Sequence, residues 1–90
     1  MYARTYTIAG RVQGVGFRYF TANHARSFGV TGYVKNRADG TVEVYIEGNE
    51  EQILAMHAEL EHGPTFARVL EIEFEESVIP SRNYKSFSAD

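Results

Sequence analysis

The sequence predicts an α+β chain of the ferredoxin-like split βαβ class. Its sheet is four-stranded and antiparallel, two helices cover one face, and a short fifth strand could close an edge. Three observations predict this. Apolar and polar residues alternate with a period of two in 4–12, 41–47 and 70–75. Apolar residues recur at helical spacing in 17–28 and 49–62. Turn residues separate these segments in the order strand, helix, strand, strand, helix, strand.

The first strand sets Tyr6, Ile8, Gly10 and Val12 on one side and Thr5, Thr7 and Arg11 on the other. The first helix, 17–28, presents Phe17, Phe20, His24 and Phe28 as its apolar stripe, and Gly29 suits the left-handed residue that ends it. Thr31 to Asn36 reads as the second strand. Arg37-Ala38-Asp39-Gly40 is the turn of a hairpin, with Asp39 serving that turn. Val42, Val44 and Ile46 then alternate with Thr41, Glu43, Tyr45 and Glu47. Asn49 and Gln52 form a capping box, and Glu50 and Glu51 suit the positive end of the second helix. Ile53, Met56, His57 and Leu60 are its inner face, and Gly63-Pro64 stops it. Leu70, Ile72 and Phe74 face inward from the fourth strand, with Glu71, Glu73 and Glu75 outward. Pro80 to Lys85 is loop, and Tyr84 to Ser88 is the short edge strand. The first helix joins two parallel strands by a right-handed crossover, so both strands end at one edge of the sheet.

Composition narrows the function. Ninety residues make one domain, 1–90. The 43% hydrophobic and 23% charged content is that of an ordinary globular protein. Without cysteine there is no disulfide, thiol nucleophile or thiolate metal site. No apolar run is long enough to span a membrane, and the N-terminus has no signal-peptide core, so a cytoplasmic protein is expected. A net charge of −3 weighs against broad nucleic-acid binding but not against one local anion site.

The most informative stretch is Gly10-Arg11-Val12-Gln13-Gly14-Val15-Gly16-Phe17-Arg18. A strand runs into a glycine-broken loop and then a helix. Glycines let successive N–H groups converge on an anion, and the first turn of a helix points its free N–H groups the same way. An arginine fork added there can hold two oxygens of a phosphate. Neither common nucleotide motif explains the loop. A dinucleotide fingerprint needs glycine at position 19, which is Tyr19, and a Walker loop needs a Gly-Lys-Ser/Thr ending that the chain lacks. Geometry alone also fits a tight strand-to-helix turn with an exposed arginine.

Gly10-x-Val12-Gln13-Gly14-Val15-x-Phe17-Arg18 resembles the first motif of the acylphosphatases. Gly32-Tyr33-Val34-Lys35-Asn36-x-x-Asp39-Gly40-x-Val42, closed by Gly48, resembles their second, and Gly63-Pro64 and Tyr84-x-x-Phe87 resemble later landmarks. The resemblance covers nearly the whole chain. It implies hydrolysis of the mixed anhydride of a carboxylic and a phosphoric acid, with no metal or cofactor. It implies that Gly14, Val15, Gly16, Phe17 and Arg18 hold the phosphoryl group, that Arg18 is its charged partner, and that Asn36 holds the attacking water. Inorganic phosphate would then be both product and competitive inhibitor. A small monomer is expected, with no nucleic-acid or membrane partner. The chain has no final aromatic after Phe87, so a contact between the terminal carboxylate and the arginine is not carried over.

The chemistry is consistent with these residues. Phosphoryl transfer needs positioning and charge stabilisation more than covalent participation. An asparagine amide cannot act as a base near neutral pH, but it can orient a water. A carboxylate leaves without protonation, so an acyl phosphate suits a site with no evident acid, base or metal set, whereas a phosphate monoester would need more. His24, His57 and His62 are too scattered for a metal site. Two rivals share the topology. An RNA-binding module would use Tyr33 and Tyr45 as stacking platforms, but strand 41–47 lacks the expected basic-aromatic pattern and carries glutamates. A binding domain that keeps the shape without turnover would hold phosphate and not react.

Overall fold

The computed structural model describes residues 1–90. Its elements are β1 (Tyr2–Arg11), α1 (Phe17–Phe28), β2 (Thr31–Asn36), β3 (Val42–Gly48), α2 (Glu50–His62), β4 (Arg68–Val78) and β5 (Phe87–Ala89). The alternation in β1 and β3 divides the sheet into two faces. Tyr6 and Ile8 stand opposite Val44 and Val42, and all four are fully buried beneath the helices. Ile53, Met56 and Leu60 of α2 close over them, and Phe17, Thr21, Ala22 and Ala25 of α1 complete the layer. The opposite face is polar and aromatic, where Tyr33 and Tyr45 stack with ring centroids 5.7 Å apart.

The strand order is β4-β1-β3-β2-β5, and β5 runs parallel to β2. The four expected strands pair antiparallel, and the fifth edge strand, present and parallel to β2, makes the sheet five-stranded and mixed. The closing strand starts at Phe87 rather than Tyr84. A buried carboxylate holds it there. Glu47, fully enclosed, accepts the N–H groups of Asn83 and Tyr84 and the Tyr45 hydroxyl. Arg82 donates to the Glu47 carbonyl and to Thr31 Oγ1. Burial pushes the Glu47 carboxyl up. The two N–H groups and the hydroxyl outweigh it and hold the group below its ordinary 4.5.

Two inward faces differ from the sequence reading. Leu70 is 70% exposed, because a bulge between Ala9 and Gly10 leaves it without a partner: Ala9 faces Glu71 and Gly10 faces Val69. Gly10, at φ 128°, is required there, since a β-carbon would lie 2.1 Å from the Arg68 carbonyl oxygen. On α1 the aromatic stripe lies at the rim. Thr21, Ala22 and Ala25 face the sheet because small side chains allow close approach, while Phe20, His24 and Phe28 pack along the flank as tilted rings, with centroids 4.5 and 5.8 Å apart. The α2 expectations hold: Asn49 and Gln52 close both bonds of the capping box, and Ile53, Met56 and Leu60 are buried. His57 is half-buried, its Nδ1 lying 3.0 Å from Tyr6 Oη. No helix is long and apolar enough to cross a membrane.

Candidate active site

The strands β1 and β2 flank β3 and run antiparallel to it, so they are parallel to each other and end at the same edge. The loop after β1 and the last residue of β2 meet there. Val12 and Phe17 are both buried, and they anchor the loop at its two ends. The four residues between them arch outward. Gly14 and Gly16 take left-handed conformations, φ 72° and 80°, that turn the backbone into a concave arch. Gly16 is the N-cap of α1. It offers no side chain to the free N–H groups of the first turn, and no acidic residue stands in that turn.

Arg18 lies in this first turn. A cation at the positive end of a helix is electrostatically unfavourable unless an anion joins it. Its Nη1 donates to the main-chain oxygen of Asp90, the last residue of the sequence, at 2.9 Å, so the arginine does contact that end, and the Asp90 N–H donates to the Val34 carbonyl at 2.8 Å. The segment after β5 therefore ties Arg18 to the strand that carries Asn36. Asn36 sits on the helix-facing side of β2, and its Oδ1 is buried with no hydrogen-bond partner in the protein. A buried acceptor left unpaired costs about 1–3 kcal/mol.

A second tie fixes the distance between loop and strand. Gln13 Nε2 donates to the carbonyl oxygens of Arg37, at 2.8 Å, and Thr41, at 3.0 Å. This joins the start of the loop to the turn that follows Asn36. Asp39 holds that turn from within, accepting the Thr41 N–H and hydroxyl. The pocket enclosed has a volume of about 170 Å³, and Gly14, Gly16, Phe17, Arg18 and Asn36 line it. Of the residues expected to act together, Val15 alone turns to the other side of Gly16, where its side chain lines a neighbouring groove.

The role of Gln13 was not expected, and the contact of Arg18 with the end of the chain was one the sequence reading left aside. Gln13 stands inside the loop motif, but its acceptors are backbone carbonyls 24 and 28 residues away. No side-chain pattern marks such a contact. The larger recess on the open sheet face, about 540 Å³, offers no comparable anion receptor. Its one cation, Arg37, is already bound to Glu43 at 2.7 Å and to Thr7 at 3.1 Å. No three His, Asp or Glu side chains come together as a metal site.

Comparison with known proteins decides the family. The family model described as Acylphosphatase matches residues 4–89. The chain belongs to the acylphosphatase family. An acylphosphatase of Actinobacillus succinogenes is 42% identical over 100% of this chain and 99% of its own. One of Koribacter versatilis is 45% identical over 93% of this chain and 76% of its own. The crystal structure of the acylphosphatase from Bacillus subtilis superposes with a TM-score of 0.95 at 37% identity, covering 100% of this chain and 99% of that one. The acylphosphatase fold and hydrolase class expected from the two motifs are thereby borne out.

Proposed function

We propose that this acylphosphatase binds the phosphoryl group of a small acyl phosphate in the arch of residues 14–18 and hydrolyses it with a water held by Asn36. The observation that carries this reading is the pairing, across one 170 Å³ pocket, of an uncapped helix turn bearing Arg18 with the unpartnered Asn36 Oδ1. The N–H groups of Gly16, Phe17 and Arg18 supply fixed dipoles, and the guanidinium spans two phosphoryl oxygens. Asp90 occupies Nη1 and leaves the rest of the fork to the substrate. Asn36 Oδ1 accepts a hydrogen bond from the water and so aims the water's lone pair at phosphorus. Water oxygen bonds to phosphorus as the anhydride P–O bond breaks. A phosphoryl oxygen takes the water's proton, and the carboxylate departs with the bonding pair. The chain acts as one domain and a monomer, in a compartment where its lack of cysteine is no handicap, the cytoplasm.

Hydrolysis of benzoyl phosphate by the purified protein tests this, in the presence of a chelator and with two variants beside it. Wild-type turnover persists, and inorganic phosphate inhibits it competitively. Arg18→Ala loses both phosphate binding and turnover, on the order of 3–4 kcal/mol of transition-state stabilisation. Asn36→Ala keeps phosphate binding and loses turnover. A near-normal kcat in Asn36→Ala would remove the water-positioning role. Phosphate binding without hydrolysis in the wild type would replace the enzyme by a binding domain.

A further inference from the structure

The phosphate pocket has a neighbour that the proposed chemistry does not use. On the far side of Gly16 and Tyr19 lies an open groove of about 350 Å³. Val15, Tyr19 and Phe20 form one wall, Pro64 and Phe66 the other, and His24 continues the first wall one turn down α1. Asn23 lies four positions after Tyr19 in that wall, so the groove runs about 6 Å from the loop along the helix axis. Two of its aromatics are unusually bare: Tyr19 is 75% exposed and Phe66 77%. Neither belongs to the hydrophobic core.

Gly16 and Tyr19 line both the pocket and the groove. Asn36 lines only the pocket, and Phe66 only the groove. In-line displacement sets the attacking and leaving oxygens on opposite sides of phosphorus. A water held by Asn36 therefore expels the carboxylate away from β2, past Gly16 and Tyr19. The acyl group then lies in the groove before it leaves.

We infer that Tyr19 and Phe66 form an acyl subsite that selects acyl phosphates carrying an aromatic ring, or an aliphatic chain of similar length, over the acetyl or carbamoyl compounds. This rests on the reading of Arg18 and Asn36 given above. Such a ring covers the two exposed aromatics and removes their apolar surface from water. An acetyl group ends before it reaches Phe66. The groove carries no cation, so a negatively charged acyl group gains nothing in it.

The test measures kcat and KM for benzoyl and acetyl phosphate in the wild type, Phe66→Ala, Phe66→Leu and, as a distant control on α2, Leu54→Ala. Phe66 and Leu54 are both exposed, so these variants fold. In Phe66→Ala the benzoyl-to-acetyl ratio of kcat/KM falls roughly tenfold, mostly through KM for benzoyl phosphate. Phe66→Leu recovers most of it, Leu54→Ala keeps the wild-type ratio, and the inhibition constant of inorganic phosphate stays the same in all four proteins. An unchanged ratio in Phe66→Ala, or an equal fall in Leu54→Ala, overturns the subsite and leaves the phosphate site standing. Absence of turnover with either compound in the wild type overturns the underlying reading, and the subsite with it.

Discussion

The two helices begin in opposite ways. At α2, Asn49 accepts the Gln52 N–H at 2.8 Å, Gln52 accepts the Asn49 N–H at 2.9 Å, and Glu50 and Glu51 complement the helix dipole. Both a reciprocal capping box and an acidic first turn are present. At α1 there is a left-handed glycine, no capping side chain, no acid and an arginine. The same contrast extends to the nearby polar groups. The Glu47 carboxylate, close in sequence to the α2 start, is saturated with donors, whereas Asn36 Oδ1, beside the α1 start, has none. One helix start is finished by the chain itself. The other is not, and under the proposed function the substrate's phosphoryl group finishes it.

The largest effect comes from finishing α1 artificially. Gly16→Asp sets a carboxylate beside the free N–H groups and Arg18, where it competes with phosphate for both. Open space surrounds the position of a β-carbon there, so nothing clashes, although the left-handed φ of 80° costs about 1 kcal/mol for a side chain. Phosphate affinity measured by calorimetry falls by more than tenfold, and kcat/KM for benzoyl phosphate falls at least as far. A Gly16→Asp protein that binds phosphate normally would show that the open helix start is only a turn.

This contrast was partly legible in the sequence. The Asn49-Gln52 cap is a local pattern of four residues, so it could be read directly, as could the period-two strands around Tyr6 and Val44. Arg18 at a helix start behind two glycines could be read as an anion site for the same reason. Asn36 could not: its neighbourhood reads as a strand end, and only resemblance to the acylphosphatases singled it out. What stayed hidden depends on distant partners. Leu70 follows its period until a bulge set by Gly10, 60 residues earlier, throws it outward. Glu47 alternates like any surface residue of β3, and nothing local tells that residues 83 and 84 fold back onto it. The parallel pairing of β5 with β2 rests on three residues, too few to show a pattern. Gln13 donates its side-chain amide to distant backbone carbonyls, and Asp90 accepts through its own main-chain oxygen; neither contact carries a signature in the sequence.

The next effect breaks the finished end. In Glu47→Gln an amide N–H₂ replaces one carboxylate oxygen and must face donors. The oxygens now accept from Asn83, Tyr84, Thr31 and Tyr45. Leaving such buried donors unpaired costs about 1–3 kcal/mol, which lowers the melting temperature by roughly 4–8 °C per kcal/mol in a domain of this size. Asn49→Ala is milder, about 1 kcal/mol for a lost cap. In both variants the kcat per folded molecule keeps its wild-type value, measured by benzoyl phosphate turnover against the folded fraction from circular dichroism. A loss of kcat in Asn49→Ala would mean that the two helix starts are not independent.

The smallest effect sharpens the comparison through pH. Glu47 is held below its ordinary 4.5 against the push of burial. Glu43 is held below the same value, first by the Tyr33 hydroxyl and then by Arg37, again against burial. Between the folded and unfolded titrations the unfolded chain binds more protons, so stability rises with pH in that window. The contribution of both groups is complete above about pH 4.5 and is lost as pH falls through their folded values. Urea unfolding at a series of pH values reads this as a midpoint that falls progressively below pH 4.5. In Glu47→Gln one of the two carboxylates is gone, so the midpoint starts lower and declines less steeply with acid. Equal slopes in the two proteins would mean that Glu47 titrates alike folded and unfolded, and the donors around it would then be holding a loop without stabilising a charge.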